Sequence, residues 1–202
     1  FKPIADFDWA HPTKVDRRQI DSLFDLSFMD NRENIVIVGP NGSGKSNIAD
    51  AIVWAAGSLT PSELRAEKPD QAIVFTRTKI RCDQLFKQLK DKGMNARALH
   101  GDMSQEARER SMAAFKAGKR DVLIATDVAA RGIDVDDVTH VINHTIPEDE
   151  KTYLHRAGRT GRAGKTGIAV TFVDWEDLHK WALINRALEF GRRRNRRLRL
   201  LG

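Results

Sequence analysis

The residues with the most definite chemistry are Gly39-Pro40-Asn41-Gly42-Ser43-Gly44-Lys45-Ser46, which match the full G-x-x-x-x-G-K-[ST] spacing. Gly39, Gly42 and Gly44 let the main chain turn tightly enough for consecutive N–H groups, those of Asn41 and Ser43 included, to surround a phosphate. Lys45 supplies a point charge to the outer phosphates, and the Ser46 hydroxyl is a Mg²⁺ ligand. The context fits. The loop follows the apolar run Asn34–Val38 and precedes Asn47–Ala56, an apolar-periodic segment whose helical N-terminus would face the phosphate. ATP or another nucleoside triphosphate, with Mg²⁺, is the expected ligand. Hydrolysis is a separate matter, because it needs a carboxylate within about one water of Ser46.

Such a loop needs a scaffold, and the hydrophobic pattern supplies one. Six β-branched runs read as strands: Asn34–Val38, Gln71–Thr76, Ala96–His100, Asp121–Thr126, Thr139–Asn143 and Gly167–Val173. Most are continuous rather than alternating, the pattern of parallel strands buried on both faces. Between them Cys82, Leu85, Phe86 and Leu89 recur at helical spacing, with Gly93 where a C-terminal cap belongs. A second helix is expected from an N-cap at Ser104 to a stop at Gly118, and a last one carries Leu178, Trp181, Ala182 and Leu188. This alternation predicts a single α/β domain of three layers, doubly wound around a mostly parallel sheet of about six strands. Residues 1–33 break the alternation. Phe7, Trp9 and Pro12, followed by Ile20, Leu23 and Phe24 at helical spacing, read as a segment packed against the sheet. The expected organisation is a packing segment at 1–33, the phosphate-loop unit and linker at 34–69, the main body at 70–190 and an Arg-rich tail at 191–202.

Composition narrows the partners. The chain has 202 residues and a formal charge of +6, too short for two full-sized enzyme domains. No apolar run approaches the roughly 18 residues of a membrane span. Cys82 has no second cysteine to pair with, so a reducing, cytoplasmic setting is expected. From the start at Phe1, without Met or a leader, a processed fragment or a recombinant product is the expectation. Of the 34 Lys and Arg, six (Arg192, Arg193, Arg194, Arg196, Arg197 and Arg199) lie in the acid-free last dozen residues, and the remaining 28 balance 28 Asp and Glu. The tail therefore carries the whole excess and is the compositional candidate for single-stranded RNA or DNA.

From about 70 to 188 the chain resembles the C-terminal RecA-like domain of DEAD-box RNA helicases. AIVFTRTK (Ala72–Lys79) is similar to the family's motif IV, and ALHGDMSQEARER (Ala98–Arg110) to its next block. IATDVAARGIDV (Ile124–Val135) resembles motif V, and HRAGRTGR (His155–Arg162) motif VI. Ala157 stands where that family carries a larger aliphatic residue. The resemblance implies that Arg159 and Arg162 are arginine fingers for a phosphate presented to them. It implies that Gly132 and Asp134 touch the nucleotide ribose, and that Arg77, Gly101, Asp102 and Thr126 contact the RNA backbone. His155 would bridge motifs, whereas His140 and His144 read as structural. Upstream, GPNGSGKSNIADAIVWAAG (about 37–70, on through SELRAEKPD) resembles the N-terminal nucleotide motif of chromosome-maintenance (SMC-type) ATPases. The lead-in at about 1–40, FDW and then DRRQIDSLFDLSFMDNRENIVIVGP, resembles transposon helper ATPases related to helicase loaders.

The family's second domain has no phosphate loop of its own, and its first domain, with the Asp-Glu-Ala-Asp carboxylates, has no counterpart here. The expectation is therefore a composite, engineered or recombined from unrelated P-loop proteins, that binds nucleotide with weak or no hydrolysis and does not unwind RNA alone. Two alternatives stay open: a nucleic-acid-binding module using the helicase-like surface and the tail, and a fold with no selected activity. The usual strand order would be 2-3-1-4-5. A right-handed crossover would then place Asn34–Val38 at the edge beside Gly167–Val173. That would bring Asp174, with Glu176 nearby, to the loop, where open α/β sheets gather ligands. Asp127, at the end of its own strand, is the other candidate for Mg²⁺.

Overall fold

The computed structural model describes residues 35–39, 71–119, 121–131, 135, 138–161, 167–188 and 196–199, with 35–39 and 196–199 described by their backbone alone. Seven strands form one sheet: β1 (Ile35–Gly39), β2 (Ala72–Thr76), β3 (Ala96–Leu99), β4 (Val122–Thr126), β5 (His140–Asn143), β6 (Ile168–Asp174) and β7 (Arg196–Arg199). Their order is β3-β4-β2-β5-β6-β1-β7, with every pairing parallel. The five strands from β2 to β6 reproduce the order 2-3-1-4-5, and each expected strand is found within a residue of its sequence bounds.

Five α-helices are described: α1 (Lys79–Asp91), α2 (Gln105–Lys116), α3 (Asp127–Ala130), α4 (Glu150–Ala157) and α5 (Leu178–Ala187). Their ends follow side-chain chemistry. The Thr78 hydroxyl accepts the Arg81 N–H at 3.2 Å, and Ser104 accepts that of Ala107 at the same distance. Gly93, at φ +81°, closes α1 by donating to Lys90 O while Met94 N–H donates to Leu89 O, both at 2.9 Å. A side chain in that left-handed conformation would be strained. The helices α3 and α4 escape sequence periodicity because at four and eight residues they are too short to show it.

The core lies on both faces of the sheet. Ile73, Phe75, Leu123, Ala125 and Val141 alternate onto one face and pack with Leu99 and with Phe115 of α2. A second cluster joins Tyr153 of α4, Val173 of β6, and Trp181 and Ile184 of α5. Tyr153 and Trp181 meet in a tilted ring pair at 5.8 Å.

Two sequence expectations change at the sheet's edge. β1 does lie beside β6, but it is not the edge strand: Arg196–Arg199 of the tail pair along its other side as β7, which makes seven strands rather than six. The physical reason is the open ladder of β1, whose unpaired N–H and C=O groups accept another strand. A charged strand suits the new edge, where charge discourages further pairing.

Candidate functional site

In a parallel sheet the carboxyl ends of all strands share one rim, so the register determines which residues meet. Gly39, the first residue of the glycine-rich loop, is the register partner of Asp174 at the end of β6. Of the two carboxylates proposed for Mg²⁺, Asp174 is thus the one that the sheet sets beside the strand leading into the loop. The loop itself, including Asn41, Gly42, Ser43, Gly44, Lys45 and Ser46, lies outside the described residues.

Asp127 has other work. Both its oxygens accept from Arg156, Oδ1 from Nε at 2.7 Å and Oδ2 from Nη2 at 2.6 Å. The Arg156 Nη1 donates in addition to Asn143 Oδ1 at 3.0 Å and to the Thr145 carbonyl at 2.8 Å. The guanidinium lies 5.1 Å from the Phe75 ring centroid, and its side chain is 2% exposed. A bidentate arginine thus occupies this carboxylate, so that Asp127, at the start of α3, ties that helix to α4. Sequence reasoning missed Arg156 as a functional residue. The available signal was its i, i+3 spacing from Tyr153, which puts both on the buried face of α4.

The arginine expected to act as a finger lies at the other end of the sheet. The segment after α4 runs back toward the amino-terminal ends of the strands, where Val138 bridges Thr160 and its N–H donates to Arg159 O at 3.3 Å. The Thr160 hydroxyl is 2.5 Å from Val138 O. Gly167, at the start of β6, closes against this turn so tightly that an added Cβ would stand 2.5 Å from Gly161 N. The seven residues of β6 separate this end from Asp174, about 20 Å at the rise of a strand. The main chain of Arg159 therefore lies near the amino-terminal end of β5, and its Nη2 is 3.0 Å from His155 Nε2. Arg162, Gly132 and Asp134 lie outside the described residues.

Of the residues expected to contact RNA, Arg77, Gly101, Asp102 and Thr126 follow or end β2, β3 and β4, three neighbouring strands, at the carboxyl rim, and Lys79 begins the helix after β2. Arg77 is ion-paired with Glu148, and Lys79 with Asp102 at 2.6 Å; all four side chains are half-exposed or more. The hydrogen bond from Lys79 holds the Asp102 carboxyl below its usual range. A Cβ at Gly101 would touch nothing within 4 Å, so internal packing does not demand glycine there. His140 is buried, with Nδ1 2.7 Å from Thr139 Oγ1, as a structural histidine should be. Among the described residues no group of three or more His, Cys, Asp or Glu could hold a metal, and no helix is long and apolar enough to cross a membrane.

An open parallel sheet, helices on both faces and ligand-type residues along the carboxyl rim define a RecA-like α/β domain. The family model for the helicase conserved C-terminal domain matches residues 56–164, and the chain belongs to that family. A second model, IstB-like ATP binding protein, matches residues 1–91. The ATP-dependent RNA helicase CshA of Listeria monocytogenes is 54% identical over 110 residues, 54% of this chain and 21% of that protein. The DEAD-box helicase CshA of Bacillus subtilis is 52% identical over 110 residues, 54% of this chain and 22% of that protein. The chain thus spans about a fifth of the length of these curated relatives. Among solved structures, E. coli DEAD-box protein SrmB bound to regulator of ribonuclease activity A matches with a TM-score of 0.66 and 30% identity, over 84% of this chain and 89% of that one. S. cerevisiae Dbp5 bound to RNA and ADP BeF3 gives 0.66 and 30% over 85% of this chain and 42% of that one.

Proposed function

We propose that this protein is a nucleoside-triphosphate-binding domain of composite ancestry, in which a phosphate-loop strand extends a helicase-type C-terminal sheet and hydrolysis is weak or absent. The observation that carries the reading is the register Gly39↔Asp174, which pairs the entry of the glycine-rich loop with a carboxylate at the ligand-gathering rim. The donors fit Mg²⁺. Ser46 and Asp174 offer hard oxygens, and a magnesium ion takes one or two protein ligands beside substrate phosphates and water. The metal would neutralise phosphate charge, while Lys45 and the loop's N–H groups would bind and orient the phosphates. Poor hydrolysis follows from Arg159, which is held at the opposite end of the sheet. The composite origin is supported by the two family models, one ending at residue 91 and the other starting at 56. The test is a thermal-shift and calorimetric titration with MgATP: a rise in melting temperature that Lys45→Ala abolishes supports the reading, and no shift at millimolar ATP refutes it.

A second reading, binding of single-stranded RNA, has its own support in the rim residues Arg77, Lys79, Gly101 and Thr126. It requires RNA affinity that falls steeply with salt and persists without residues 191–202. Loss of all binding on that deletion would leave only the tail as the binding element.

A further inference from the structure

Two ion pairs at the carboxyl rim lie open to water. Arg77 and Lys79 flank Thr78 just after β2, the strand between β4 and β5. A carboxylate reaches each cation from a different side of that strand: Glu148, which follows β5, pairs with Arg77, and Asp102, which follows β3, pairs with Lys79 at 2.6 Å. The four side chains are 48–64% exposed, so the pairs add little to stability. The pair of Arg156 with Asp127 differs, because its guanidinium is buried. What the exposed pairs change is the charge of the rim, since each carboxylate cancels a cation that a phosphate would meet. The hydrogen bond from Lys79 holds the Asp102 carboxyl below its usual range, so it is ionised at neutral pH. An ionised carboxylate has acceptors and no donor, and it repels phosphate oxygens.

We infer that Asp102 and Glu148 are built-in competitors for Lys79 and Arg77: they cancel the charge of these two cations, and single-stranded RNA engages the pair only by displacing both carboxylates. The inference rests on the RNA-binding reading above and deepens it. It reverses the contact role that the helicase resemblance gives Asp102. A nucleic-acid backbone is suited to the displacement, because its successive phosphates are joined in one chain and gain both cations in one binding event. A small anion has to compete at each cation separately, so the rim selects strands over single phosphates. The backbone group of RNA able to donate to a carboxylate is the 2′-hydroxyl, which DNA lacks. A direct contact from Asp102 therefore has its own signature.

The experiment is a fluorescence-anisotropy titration of the full chain with a labelled single-stranded oligouridylate and its deoxy counterpart, over a series of salt concentrations. The wild type is compared with Asp102→Asn, Asp102→Asn/Glu148→Gln, Lys79→Gln with and without Asp102→Asn, and Asp91→Asn. Far-ultraviolet circular dichroism and melting temperature verify that each variant folds. Asp91 is the control: it removes the same charge at the far end of α1, about 18 Å from Lys79 by helical rise. Asp102→Asn is expected to tighten RNA and DNA alike about two- to fivefold, the effect of one exposed pair. The slope of log K against log salt should steepen by about 0.7 in Asp102→Asn and by about 1.4 in the double variant. In the Lys79→Gln background Asp102→Asn should change nothing, and Asp91→Asn should bind as the wild type does. Weaker RNA binding in Asp102→Asn overturns the inference, and unchanged DNA binding beside it traces the loss to a 2′-hydroxyl contact. Unchanged affinity in Asp102→Asn overturns it too, as does a gain that Asp91→Asn matches, because that gain reports general charge. In each of these cases RNA binding itself stands. Binding that appears only in the double variant supports the inference. Absence of RNA binding in both the wild type and the double variant overturns it together with the RNA-binding reading.

Discussion

Replacing Arg156 by Leu tests whether one buried guanidinium holds the helicase-like body together. The substitution removes four hydrogen bonds at 2.6–3.0 Å and leaves three acceptors behind: the Asp127 carboxylate, Asn143 Oδ1 and the Thr145 carbonyl. Asn143 is fully buried, whereas the Asp127 side chain is 32% exposed and can regain water. Breaking a buried ion pair from one side costs about 3–5 kcal/mol, and the partial exposure of Asp127 puts the expected loss at the lower end, about 3 kcal/mol. In a domain of this size that is about 6–12 °C in Tm. Urea denaturation followed by circular dichroism measures it, with unchanged m-value as the sign that the native state is intact. The double variant Asp127→Leu/Arg156→Leu should lose at least ~1 kcal/mol less than the two single losses added, since neither charge is then left without the other. A loss below about 1 kcal/mol for Arg156→Leu, or strict additivity in the cycle, would refute the clamp.

The remaining predictions draw on other groups. Glu148→Gln frees Arg77 from its ion pair, so affinity for single-stranded RNA should rise and the slope of log K against log salt should steepen by about 0.7; in an Arg77→Gln background the same change should do nothing. Burial pushes the Cys82 thiol up to about 11, and its Sγ–H donates to Ile124 O at 3.1 Å. A disulfide reagent at pH 8 should therefore label Cys82 only at the rate of unfolding, and rapid labelling of the folded protein would contradict the burial. Asp149 caps α4 by accepting the Thr152 N–H at 2.7 Å, and that bond holds its carboxyl below the usual range. Because the folded value is the lower one, the cap's contribution is complete above the unfolded carboxylate value and fades as pH falls through the folded value. Melting curves at stepped pH should show this acid limb flattened in Asp149→Asn, which still caps but does not titrate.

Much of the main body was legible in sequence because its signals are local. Continuous runs such as Asp121–Thr126 specify buried parallel strands, and Thr78, Ser104 and Gly93 end helices through bonds within four residues of themselves. The short helix α4 was not legible, since eight residues show too little periodicity. With it went Arg156, whose partners Asp127 and Asn143 are 29 and 13 residues away.

For function the division is similar. Sequence by itself determined the phosphate-loop pattern, the helicase-type motifs and the concentration of excess charge in six tail arginines. It could state chemistry because residue type and spacing carry chemistry. Crossover handedness already pointed to Asp174 beside the strand that leads into the loop, and tertiary structure decided the rest of the rim. Strand register put Asp174 beside Gly39, engaged Asp127 with Arg156 and carried Arg159 to the far end of the sheet. It also turned part of the basic tail into an edge strand whose last residue pairs with Val38 of β1. Pairing of the tail depends on the open ladder groups of β1 rather than on distance along the chain, so no local pattern could have announced it.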